Sequence, residues 1–116
     1  MKAEDLMVGD WVYITDYPMR KEAKQVVPEH FVRSLVEFEP IPITPEIFEK
    51  NGFETHPSNV RMFLHHDDYC LSYYPESKHF TIYNQIDGSL VQRVIVNIHE
   101  LQHALKLCGI DKTIEL

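Results

Sequence analysis

Val94-Ile95-Val96-Asn97-Ile98-His99-Glu100-Leu101-Gln102-His103-Ala104-Leu105-Lys106-Leu107-Cys108-Gly109 is the stretch whose reading decides the fold. Its β-branched opening reads as the end of a strand, and the remainder as an amphipathic helix closed by a glycine. At about 100° per residue, Ile98, Leu101, Ala104, Leu105 and Cys108 gather on one side as a core-facing stripe. His99 and His103, at i and i+4, share a second face nearly opposite that stripe. The spacing therefore predicts that both histidines look outward from the core, with Lys106 beside them.

The same residues spell H-E-x-x-H, the zinc-peptidase signature. In that chemistry His99 and His103 ligate zinc, Glu100 polarises a zinc-bound water as general base, and a third protein ligand completes the site. The extended form H-E-x-x-H-x-x-G-x-x-H is not matched, because Lys106 stands at its glycine and Gly109 at its last histidine. Only thirteen residues follow His103. Asp111 and Glu115 are the acidic groups among them, too near to lie on a separate downstream helix. His65, His66, Asp67, Asp68 and His79 lie upstream, with nothing in the sequence to place them beside the helix. A cleft wall over the histidine face also needs chain that a domain of 116 residues has little of. The expectation is no catalytic residue, no metal and no cofactor. The alternative is a minimal zinc-dependent hydrolase with His99 and His103 as ligands and Glu100 as base.

Composition is that of one ordinary globular domain, with 44% apolar and 25% charged residues. No apolar run approaches the ~18 residues of a membrane span. The opening Met1-Lys2-Ala3-Glu4-Asp5 has no signal-peptide core. A cytoplasmic protein without membrane attachment is expected. Cys70 and Cys108 lack C-x-x-C spacing and sit in apolar surroundings, so both read as reduced packing residues. Eighteen acidic against eleven basic residues leave a net charge of −7, which argues against direct binding of a phosphate backbone. Acidic proteins can also imitate nucleic acid and act as inhibitors. That second alternative requires carboxylates in regular rows, whereas these are spread along the chain.

Upstream, Gly9-Asp10 reads as a turn feeding a strand over Trp11–Thr15, which Tyr17-Pro18 breaks and Lys24–Val27 follows as a returning strand. This opening is of the kind that begins small SH3-like barrels, with Trp11 used for core or interface packing. Pro28–Val36 reads as a short helix or a strand, and Glu39-Pro40-Ile41-Pro42-Ile43 as an extended connector. A two-turn helix is predicted after Thr44-Pro45, capped by Thr44 and ended by Asn51-Gly52. From Val60 the period changes to two. Strands are predicted over Val60–Leu64, Tyr69–Tyr74, His79–Ile86 and Leu90–Val96, joined by short turns and hence antiparallel neighbours. Phe80, Ile82 and Ile86 are expected to face the helix, and Lys112–Leu116 to form a last edge strand. His65-His66-Asp67-Asp68 concentrates metal-ligand types, but ordinary turn chemistry explains it. The tyrosines Tyr69, Tyr73, Tyr74 and Tyr83 read as cross-strand packing rather than a ligand groove.

The order of these pieces resembles a family of small uncharacterised proteins of Bacteroides-type gut bacteria and their prophages or mobile elements. Leu6-Met7-Val8-Gly9-Asp10-Trp11-Val12, Pro40-Ile41-Pro42-Ile43-Thr44-Pro45-Glu46-Ile47 with Asn51-Gly52-Phe53, and Ile98-His99-Glu100-Leu101-Gln102-His103 with Leu107-Cys108-Gly109 carry the resemblance. Endings in that family read V-H-x-L-Q-N or V-H-x-L-Q-H, matching His99, Leu101 and Gln102. Glu100 and His103 are then incidental, and no catalytic residue carries over. What the resemblance implies is an accessory protein of phage or mobile-element origin. The fold expected is α+β in a single domain over 1–116. An antiparallel sheet of about four or five strands packs against the C-terminal helix, and residues 1–40 form a small SH3-like β subregion. Such a protein acts through protein contacts, by a protein partner or by self-association at its sheet edges.

Overall fold

The computed structural model describes residues 6–16, 20–28, 37–55 and 61–116. The architecture is α+β, with two antiparallel sheets and a C-terminal helix. In the N-terminal sheet β1 (Trp11–Asp16) is central, flanked by β2 (Arg20–Gln25) and β3 (Glu37–Pro40). Val12 and Ile14 alternate inward along β1 and pack with Leu6, Val26 and Phe38 into a small core of their own. The returning strand lies earlier than Lys24–Val27, because Arg20 to Gln25 all find partners on β1. Val26 instead bonds the turn, donating to Asp10 O at 2.8 Å and accepting from Gly9 N–H at 2.8 Å. Glu39-Pro40 is not connector but the end of β3, which among the described residues is an edge, where proline is tolerated. The Tyr17-Pro18 break, Val60 and the segment from Glu29 to Val36 lie outside the described residues.

The second sheet is a meander of β4 (Glu54–Thr55), β5 (Met62–His66), β6 (Tyr69–Tyr74), β7 (His79–Asn84) and β8 (Leu90–Val94), in that order. β4 was not anticipated; two exposed residues carry no alternating pattern to read. β7 stops before Ile86, which is 75% exposed rather than under the helix. The reason is local: Asn84 Oδ1 accepts the amides of Ile86 and Asp87, turning the chain before another inward position is reached. β8 likewise ends before Val96, because the chain changes partner there. Ile43 N–H donates to Val96 O, and Ile98 N–H to Ile41 O, both at 2.9 Å.

Among the described residues two helices cover the core side of this sheet. α1 (Pro45–Lys50) has proline in its first turn and ends at Asn51-Gly52, where Gly52 takes φ +91. Thr44 occupies the cap position, yet its side chain makes no capping hydrogen bond. α2 (Ile98–Leu107) buries Ile98, Leu101, Ala104 and Leu105 against the sheet, while Cys108 is only half-buried. After α2 no strand forms over 112–116; side chains hold the segment instead. Trp11 Nε1 donates to Ile114 O at 2.8 Å, and Asn51 brackets Glu115 through both its amide nitrogen and its oxygen, each at 2.8 Å.

Phe48 sits at the centre of the main core. Its ring stacks on Tyr73 at 4.3 Å and meets Phe53 edge-on at 4.8 Å. Burial pushes the Tyr73 phenol above its ordinary pKa. Replacing Phe48 by alanine is expected to cost about 3–5 kcal/mol, because a six-residue helix cannot collapse into the space left. Urea unfolding of Phe48→Ala checks this; a loss below about 1 kcal/mol contradicts the packing described.

Candidate functional site

The H-E-x-x-H residues lie on α2, and each has a defined contact. Glu100 stands in the first turn, where its Oε1 accepts the Asn97 backbone N–H at 3.0 Å and the Asn97 side-chain amide at 2.9 Å. It closes the helix N-terminus, a place where a carboxylate is favoured by the helix dipole. His99 is 8% exposed, so the outward orientation expected of it is corrected. His103 is partly exposed, and its Nε2–H donates to Asp10 Oδ2 at 2.6 Å. The two imidazoles stand 5.7 Å apart, centroid to centroid, and nearly perpendicular.

The histidine face is not open because the N-terminal sheet packs onto it. Gln102, between the histidines, clamps the root of β1. Its Oε1 accepts Trp11 N–H at 2.7 Å and its Nε2 donates to Gly9 O at 3.0 Å, as a neighbouring strand would. Gly9 adopts φ +97, which presents that carbonyl and turns Asp10 inward. Asp10 is 0% exposed, and its Oδ2 takes the Met7 N–H at 2.8 Å besides His103. Its Oδ1 makes no hydrogen bond with the described residues. Gly9-Asp10-Trp11 and Gln102-His103, more than ninety residues apart, thus form one joint.

For zinc hydrolysis this arrangement is a poor fit. His103 already holds a carboxylate, and Glu100 is turned to the helix end rather than to a ligand pair. Among the described residues no three His, Cys, Asp or Glu side chains gather as a metal-holding group. His65 and His66 end β5, and Asp67 takes φ +52 in the tight turn after them, with His66 Nε2 3.6 Å from its carboxylate. Asp111, Glu115 and His79 do not join the α2 histidines in such a group. Tyr73 lies in the core while Tyr83 is exposed on the far face, so the tyrosines do not line one groove.

A different feature has the form of a contact site. Between β8 and α2 runs a groove of about 720 Å³ lined by Met7, Arg93, Val94, Lys106 and Leu107, with Glu100 and His103 at its side. A smaller trough of about 290 Å³ continues it past Arg93 and Leu107 toward Asp87 and Ser89. Burial raises the Cys108 thiol pKa there, against the opposing charge of Arg93. Among the described residues β8 is the last strand of its sheet and pairs with β7. Ile95 N–H points to β7, donating to Lys78 O at 2.8 Å. By alternation the backbone groups of Leu90, Gln92 and Val94 point away from the sheet. Leu90 and Val94 are 53% and 58% exposed. The run Leu90–Val96 was readable as a strand, but nothing in it marked the strand as an edge.

Removing His103 leaves the buried Asp10 carboxylate with the Met7 N–H as its remaining donor among the described residues. His103→Ala is expected to destabilise the fold by about 3 kcal/mol, and Gln102→Ala by about 1–3 kcal/mol through two orphaned backbone groups. In a double-mutant cycle, Asp10→Ala and His103→Ala should couple by at least about 1 kcal/mol in urea unfolding; additive losses contradict the joint.

Comparison of the chain with protein-family models, with curated proteins and with solved structures finds no match.

Proposed function

We propose that the chain is a non-enzymatic binding or accessory protein that acts through protein contacts. The observation that carries this reading is the open edge of β8, whose outward backbone groups and exposed Leu90 and Val94 have no strand against them among the described residues. The residues of the H-E-x-x-H match support it from the other side, since Glu100 and His103 serve the helix end and the joint with β1. An origin in a phage or mobile element rests on the resemblance of Val8-Gly9-Asp10-Trp11 and His99-Glu100-Leu101-Gln102-His103 to that family. No helix among the described residues is long and apolar enough to cross a membrane, which is compatible with a cytoplasmic place of action. The net charge of −7 speaks against nucleic acid as a direct partner.

Self-association is the simplest contact available to this edge. Two copies of β8 pair antiparallel about Gln92 with Leu90 opposite Val94, so that apolar side chains meet and the outward backbone groups satisfy each other. The same register brings the two Arg93 side chains onto one face at about 7–8 Å, and like charges there weaken the pair. Sedimentation velocity is therefore expected to show weak dimerisation that strengthens as salt rises from about 50 to about 500 mM. Gln92→Pro, which removes the central donor, should abolish it. A strict monomer under all these conditions overturns self-association.

Metal content separates this reading from a zinc hydrolase. Tag-free protein purified without added metal, and its His103→Ala variant, are both expected to lack stoichiometric zinc. One zinc per chain, lost in the variant, would replace the binding reading with the hydrolase.

A further inference from the structure

We infer that the open edge of β8 and the groove beside it take an extended acidic segment of a partner protein, which adds to the sheet as a sixth strand. The inference rests on β8 being a contact edge, as proposed above, and names the chemistry of what it contacts.

Among the described residues no strand covers this edge, and the chain path gives the reason. Residues 41–43 run antiparallel to 96–98, with Pro42 opposite Asn97. Continuing that register would set Pro45 against Val94 and cover β8. At Pro45, however, the chain enters α1 and leaves the sheet. The outward N–H and C=O groups of Leu90, Gln92 and Val94 thus lie in line with a segment that already pairs as a strand. An incoming strand extends a ladder that has begun.

Charge selects the occupant. In a protein of net charge −7, the groove along this edge carries two cations, Arg93 and Lys106. Glu100 and Asp87 border it and keep their charge, but their carboxylates are directed to Asn97 and to the Ser89 N–H at 2.8 Å. Lys106 Nζ lies 3.4 Å from Val8 O, so Arg93 is the cation that an incoming strand meets. Arg93 lies opposite Phe80, a core residue, and so projects to the helix side of the sheet. Leu90 and Val94 project to the other side, where Tyr83 is also exposed and directly opposite Leu90. Successive side chains of an added strand alternate between these two environments. One set meets Arg93 and the apolar flank of Leu107; the other meets Leu90, Val94 and Tyr83. The sequence that fits is one alternating acidic and β-branched apolar residues. A second copy of β8 answers this less well, because it brings Arg93 to the same face as Arg93.

Fluorescence anisotropy with a labelled synthetic peptide of about nine residues alternating Glu and Val tests the inference. Peptides of equal length alternating Gln and Val, or Lys and Val, serve as controls. The Glu/Val peptide is expected to bind wild-type protein at least about tenfold more tightly than either control, with affinity that falls as salt rises. The salt response is opposite in sign to that of self-association, so the two occupants are separable in one titration series. Arg93→Glu, at an exposed position, should fold as wild type and reverse the preference toward the Lys/Val peptide. Equal binding of all three peptides, or no reversal in Arg93→Glu, overturns the acidic assignment and leaves β8 as a contact edge. No binding by any peptide overturns this inference. If sedimentation also shows no self-association, the reading of β8 as a contact edge falls with it.

Discussion

The joint between Gln102-His103 and Gly9-Asp10-Trp11 is the constraint on which the arrangement of the two sheets depends. Among the described residues the N-terminal sheet packs Leu6, Val12, Ile14 and Val26, with Phe38 beside them, into a core of its own. It is held where it is by a side-chain amide that bonds two backbone groups of β1 and by a carboxylate buried completely under the helix. A buried carboxylate without its partners is costly, so Asp10 ties the turn, the helix and the strand entry into one unit. Trp11 completes the same junction from the outside, reaching past α2 to the carbonyl of Ile114 and fixing the C-terminal segment without any strand.

That joint changes what the H-E-x-x-H match means. A metallopeptidase motif asks three side chains of one helix to face a common ion and water. Here they are directed to three places: Glu100 to the helix end, His99 into the buried layer, His103 to Asp10. The glutamine that the motif leaves unspecified has the most defined role of the five residues. In their contacts Glu100 caps the helix, and Gln102 and His103 join it to β1.

The open edge of β8 follows from the same economy of chain. Residues 41–43 leave the N-terminal sheet, pair with the root of α2 and then turn into α1, whose Phe48 fills the main core. Proline at the start of α1 makes that departure abrupt. The segment in register with the end of β8 thus enters a helix rather than continuing along the strand. The outward row of β8 stays beside two cations and exposed apolar side chains.

Local pattern alone determined much of this protein. The period-two runs marked β5 to β8, the cap and proline chemistry marked α1, and the apolar stripe of α2 predicted the burial of Ile98, Leu101, Ala104 and Leu105, though not that of His99. These are properties of neighbours in sequence, and the backbone periods of 2.0 and 3.6 make them legible. Ile86 and residues 112–116 were misread because a side chain, Asn84 in one case and Asn51 in the other, decided the backbone path. Whether the histidine face of α2 is covered could not be read. An angular argument on one helix finds that His99 and His103 share a face, but whether water or a second sheet lies over it depends on contacts across some ninety residues. The edge position of β8 is of the same kind. Whether a strand has one neighbour or two is a fact about other strands, and only the tertiary structure decides it.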